Sequence, residues 1–167
     1  MDVHMFQKNL LRSSMLIALI LPGMGYAASQ SLLPHDHNDQ HTLQLELNSG
    51  KKWQTDAALR QGMAAIYLQL SSAMPAIHQG EFPPSKLDDL SVEIEKQVAG
   101  IVSNCKLNAK ADAQLHIIVA QLLKGSTQLT GKQPGSSAKE GVITVLDAIS
   151  NYTRYFDDSA LRHSFQH

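Results

Sequence analysis

The chain has 167 residues, with 14 Lys and Arg against 15 Asp and Glu, one cysteine and 43% hydrophobic residues. A near-neutral balance without any basic cluster excludes the charge footprint of a nucleic-acid or membrane-surface binder. The lone Cys105 excludes an internal disulfide, so folding must rest on a hydrophobic core.

The first segment reads as an export signal. Lys8 and Arg12 precede an apolar stretch from Met15 to Leu21, which Pro22 and Gly23 interrupt before the small residues around Gly25 and Ala27. That order is the basic region, apolar region and cleavage site of a secretory signal spanning residues 1–27, and its apolar run is far shorter than the ~20 residues a membrane span requires. Cleavage there leaves roughly 140 residues, enough for one domain with its own core. The expected location is the periplasm, with no membrane span remaining.

Residues 28–41 are polar, contain Pro34 and carry His35, His37 and His41 with no apolar period, as expected of a flexible arm. Thr42 to Leu47 then alternates polar and apolar, a strand period, and Asn48-Ser49-Gly50 ends it in a turn. A single strand has no partner here, so an extended segment lying on a helical body is expected.

Four amphipathic helices follow. The first has Thr55 as its expected N-cap, carries Leu59, Met63, Ile66, Leu70 and Met74 on one face, and should kink or end at Pro75, with Gly80 as the final stop. The second pairs Ser85 with Asp88 at capping-box spacing after Pro83-Pro84 and bears a stripe of Leu87, Leu90, Ile94, Val98, Ile101 and Cys105. A third, capped by Asn108, buries Ala111, Leu115, Ile118 and Leu122 and should end near Gly125 or Gly131. The fourth, opened by Ser137 with Glu140, carries Val142, Val145, Ile149, Tyr152 and Phe156. Short connections between helices of similar length imply an all-α, up-down-up-down four-helix bundle over residues 42–167.

Two groups of residues have the chemistry to hold a metal. Imidazole is the commonest protein ligand for copper and zinc, and His35, His37 and His41 stand beside the oxygen donors Asp36 and Asp39; the alternative is a solvated polar terminus. Met63 and His116 each lie eight residues past their helix caps. In a bundle whose first and third helices are parallel this places them at matching depth, with Cys105 nearer the bundle end and Asp112, one turn before His116, able to orient the ring. Against that, Met on an apolar stripe is usually core, buried Cys behaves as a small hydrophobe, and Asp112 with His116 is an ordinary surface pair. Covalent haem lacks its Cys-x-x-Cys-His signature, while a b-type haem held by Met63 and His116 stays open. No nucleophile elbow, zinc-protease or phosphate-loop motif is present, which leaves little for an enzyme reading.

Three stretches carry a resemblance: Leu47–Met63 (LNSGKKWQTDAALRQGM), Ile101–Leu107 (IVSNCKL) with Ala111–His116 (ADAQLH), and Asn151–Asp157 (NYTRYFD). They resemble a family of small exported proteobacterial proteins labelled DnrO-like. The resemblance implies a His-containing segment after the signal, matched by His35, His37 and His41, and a metal-linked role. Met63, Cys105 and His116 fall at its motif positions. The expectation is a non-enzymatic periplasmic metal-binding protein, with copper favoured and zinc next. The alternatives are a haem electron-transfer protein and a ligand-free interaction module.

Overall fold

The computed structural model describes residues 44–166, with side chains to Ser164; the signal segment and His35, His37 and His41 lie outside the described residues. These residues form five helices and no strand: α1 Ala57–Gln79, α2 Pro84–Asn104, α3 Ala109–Leu129, α4 Ala138–Tyr155 and α5 Ser159–Gln166. The class is all-α. None of the helices is long and apolar enough to cross a membrane.

The apolar stripes read from the sequence are the core. Leu59, Met63, Ile66 and Leu70 of α1, Leu90, Ile94, Val98 and Ile101 of α2, Ala111, Leu115, Ile118 and Leu122 of α3, and Val142, Val145, Ile149 and Tyr152 of α4 are all buried in one cluster. Each large side chain removed from water in this way contributes about 1.5–3 kcal/mol. Consecutive helices from α1 to α4 pack against each other. Early Gly62 on α1 meets late Ile101 on α2, early Ser91 on α2 bonds late Ser126 on α3, and late Gln128 on α3 bonds early Thr144 on α4. The tightest crossing is α3 with α4: a Cβ on Gly141 would lie 2.4 Å from the backbone nitrogen of Leu129, and one on Gly125 would lie 2.6 Å from Val145. That close approach explains why α3 runs through Gly125 and stops only at Leu129, before Gly131 in the left-handed region.

Helix boundaries depart from the sequence reading where side chains have better partners elsewhere. Asp56, not Thr55, caps α1, accepting from the amide of Leu59 at 2.8 Å, while the Thr55 hydroxyl donates to the carbonyl of Asp157. Pro75, which is exposed, does not end α1. The helix continues to Gln79 and closes with Gly80 at φ 72°, its amide bonded to Ile77 and that of Glu81 to Ala76, a Schellman arrangement. α2 opens at Pro84 without a side-chain cap, since a proline in the first turn has no amide needing a partner; the expected Ser85 cap is therefore already inside the helix. Asn108 and the Ser137/Glu140 capping box stand where expected.

The segment before α1 is no strand over its described part. Glu46 donates its amide to the Gln114 side chain on α3, Leu45 packs against the core, and Asn48 and Lys51 close a turn through two mutual backbone bonds. Ser49 at φ 50° and Gly50 at φ 81° are both left-handed, the conformation a tight two-residue turn demands. Over its described part this segment lies on the helices without regular structure and then turns back at Asn48–Lys51. The fifth helix was not expected. Asp158 ends the extended break after α4 and starts α5 by accepting from the amide of Leu161. α5 packs against both α1 and α4, which otherwise scarcely meet.

Candidate functional site

The proposed core constellation does not assemble. Met63 is fully buried among the stripes, whereas the His116 side chain is 65% exposed. Equal spacing from the two caps does not bring the side chains together, because they differ in azimuth. His116 follows Leu115, which is on the buried stripe of α3, and one residue turns a helix by about 100°, enough to carry the imidazole off the core face. Thioether and imidazole therefore do not face each other, and the axial pair required for haem is lost with them. The His116 ring is instead held within its own helix, Nδ1 lying 2.9 Å from the carbonyl oxygen and 3.5 Å from the carboxylate of Asp112. The contact is an ordinary one-turn pair at the surface, made chiefly to the backbone carbonyl of Asp112.

Cys105 caps the end of α2 and is half-buried, with its thiol facing the carboxylate of Asp56. Burial first, and then the charge of Asp56, pushes the thiol up to about 11, so that it is a protonated donor at neutral pH rather than a thiolate. The partner shows the converse. Burial opposes ionisation of Asp56, but the amides of Leu59 and Lys106, the Cys105 thiol and Arg60 outweigh it and hold the carboxyl below its usual range. No three His, Cys, Asp or Glu side chains come together in metal-binding geometry among the described residues.

What the fold gathers around Cys105 is a junction of three distant segments: the entry to α1, the α2–α3 turn, and the break between α4 and α5. Trp53 is its centre. The Trp53 amide donates to the Tyr155 carbonyl and its own carbonyl accepts from Asp157, both at 2.8 Å, which forms a parallel bridge to Phe156. The indole Nε1 reaches back to the Glu46 carbonyl at 2.6 Å. Lys52 donates to the carbonyl of Thr153. Buried Tyr152 donates its hydroxyl to buried Asp158 at 3.0 Å, and burial, then that carboxylate, pushes the phenol above its ordinary value. No described, buried side-chain nitrogen or oxygen is left without a partner.

Trp53, Asp56 and Asp158 were missed as organising residues. Asp56 and Asp158 each stand three positions before a buried Leu, Leu59 and Leu161, which is the N-cap spacing. That signal was available. The Trp53 pairing with Phe156 was not, since it joins positions far apart in the chain. Comparison of the chain with family models, with curated proteins and with solved structures returns no match.

Proposed function

We propose that this is a non-enzymatic, periplasmic metal-binding protein, exported by a cleaved signal over residues 1–27, in which an up-down-up-down four-helix bundle is the folded body and His35, His37 and His41 take the metal. The observation that carries the reading is the clustering of three imidazoles with Asp36 and Asp39 in seven consecutive residues. The dispersal of the other candidates concentrates it there: Met63 is core, Cys105 is a protonated thiol on Asp56, and His116 is on the surface. With sulfur removed, the donor set is nitrogen and oxygen, which suits Cu(II) and Zn(II) rather than Cu(I), and the divalent affinity order puts copper ahead. The proposal keeps the resemblance to DnrO-like proteins as part of the same reading.

The test is equilibration of the purified protein with Cu(II) and with Zn(II), followed by desalting and metal analysis. The wild type and a Cys105→Ser, His116→Ala variant should retain copper equally, and a His35→Ala, His37→Ala, His41→Ala variant should retain none. A wild type that holds neither metal, or a triple variant that holds as much copper as the wild type, overturns the proposal.

A further inference from the structure

The seam between α1 and α4 has two halves. At the Trp53 end α5 fills it, with Leu161 buried and Tyr67 of α1 donating its hydroxyl to the carbonyl of Ser164. An eight-residue helix is only about 12 Å long. Beyond it α1 runs on to Gln79, and the seam opens into a groove of about 400 Å³ bounded by the end of α1, the start of α2 and the start of α4. Ile77, Phe82, Leu87 and Val142 give it an apolar interior. The polar side chains lining it are His78 and Lys139.

We propose that this groove binds a small amphiphile with an anionic head, an alkyl chain ending in a carboxylate. Its volume lies in the range of small-molecule sites, and it has their usual construction of an apolar lining with a few convergent polar groups. The head-group preference follows from charge. Both polar side chains are donors, and neither forms an ion pair with a described residue. Glu140, the acid nearest in sequence to Lys139, has its carboxylate turned back to the amide and hydroxyl of Ser137 in the capping box. The first amides of α4, those of Ala138 and Lys139, have no intrahelical acceptor and lie at the positive end of the helix dipole. The apolar interior takes the alkyl chain, and Lys139 with His78 takes the head. This site is independent of the histidine segment, so failure of either proposal leaves the other standing.

Dodecanoate, 1-dodecanol and dodecylammonium, each below its micellar concentration, are titrated into the metal-free protein by calorimetry. Dodecanoate should bind with one-to-one stoichiometry and more tightly than either analogue. Lys139→Gln, an exposed change that leaves the core intact, should weaken dodecanoate about threefold, the scale of one exposed charge pair, and leave dodecanol unchanged. Ile77→Trp should fill the groove and abolish binding while the far-ultraviolet circular dichroism stays that of the wild type. Dodecylammonium binding as tightly as dodecanoate, unaltered dodecanoate affinity in Lys139→Gln, or no dodecanoate binding at all overturns the proposal.

Discussion

At the Trp53 end of the helical domain the chain is tied by bonds between positions remote in sequence: Trp53 to Tyr155 and Asp157, Thr55 to Asp157, Asp56 to Lys106, Lys52 to Thr153. At the opposite end α1 and α4 finish in local caps, the Gly80 closure of α1 and the Ser137/Glu140 box of α4, while the long-range ties join α2 to α3 and its following loop, Ser91 to Ser126 and Asp88 to Lys132. The Trp53 end is thus closed, α1 bound to α4 by long-range polar pairing, and the other end leaves an apolar groove between them. Long-range ties make an end rigid, because opening it must break several segments at once. Where α1 and α4 end in local caps, the space between them can remain open while α2 and α3 hold that end together. The residues that looked most chemical in the sequence, Met63, Cys105 and His116, sit in the half nearer the closed end. There cysteine and tyrosine are held protonated and the carboxylates already have donors.

The sharpest way to break this contrast is to remove one phenylalanine from each end. Phe156 is fully buried and stacks on Tyr152 with ring centroids 5.5 Å apart. Phe156→Ala should cost about 3–5 kcal/mol, the usual cost of emptying a packed aromatic site. Phe82 lies against the core but is only partly buried, and Phe82→Ala should cost about 1 kcal/mol, in keeping with the smaller area returned to water. Urea denaturation followed by the fluorescence of Trp53, the single tryptophan, reads both. Equal losses at the two ends would show that the groove end is as tightly built as the closed one.

A smaller effect sharpens the electrostatics of the closed end. The Asp56 carboxyl is held below its ordinary 3.8 by donors it gains on folding, so its charge stabilises the folded state fully above that value. The contribution fades as pH falls through 3.8 toward the lower folded value. Asn keeps the capping oxygen toward the amide of Leu59 but turns a donor NH2 toward the amide of Lys106, so Asp56→Asn removes the charge together with one acceptor. The variant should be less stable at pH 7 by under about 1 kcal/mol, the site being partly open to screening solvent, and the deficit should shrink below about pH 4. A deficit that persists unchanged to pH 2 would assign the effect to geometry instead.

How far each feature was legible follows from the range of the interactions that make it. The stripes of α1 to α4 and the caps at Asn108 and Ser137 are local patterns, and they stand as read. The cap of α1 moved by one residue, from Thr55 to Asp56, because the Thr55 hydroxyl has an acceptor at Asp157 that no local pattern reveals. α5 was invisible for a related reason. Eight residues are too short a run to announce a helix by period, and this one forms on the Asp158 cap and the surfaces of α1 and α4, with Leu161 buried. His116 does not meet Met63 because spacing from a cap leaves rotation about the helix open, and Leu115 already takes the inward direction. The groove depends on α5 ending short of the far end of the seam, and so could not precede knowledge of α5.

The smallest expected effect is at His116, and it tests whether the closed end has any ligand chemistry. The ring is mostly exposed and its contacts are with Asp112, one turn away on the same helix. Such a pair contributes about 0.2–0.5 kcal/mol, and alanine's better helix propensity offsets most of that, so His116→Ala should leave stability within about 0.5 kcal/mol of wild type. Copper held by His35, His37 and His41 is bound through seven consecutive residues that the unfolded chain presents as well. A ligand that binds both states shifts the folding equilibrium little, so Cu(II) should leave the melting temperature of both proteins nearly unchanged. The readout is the difference in melting temperature with and without Cu(II), measured on both proteins at one metal concentration. If Cu(II) raises the melting temperature of the wild type and His116→Ala loses that increment, the His116 ring is a metal ligand, and the Trp53 end is part of the binding site rather than its support.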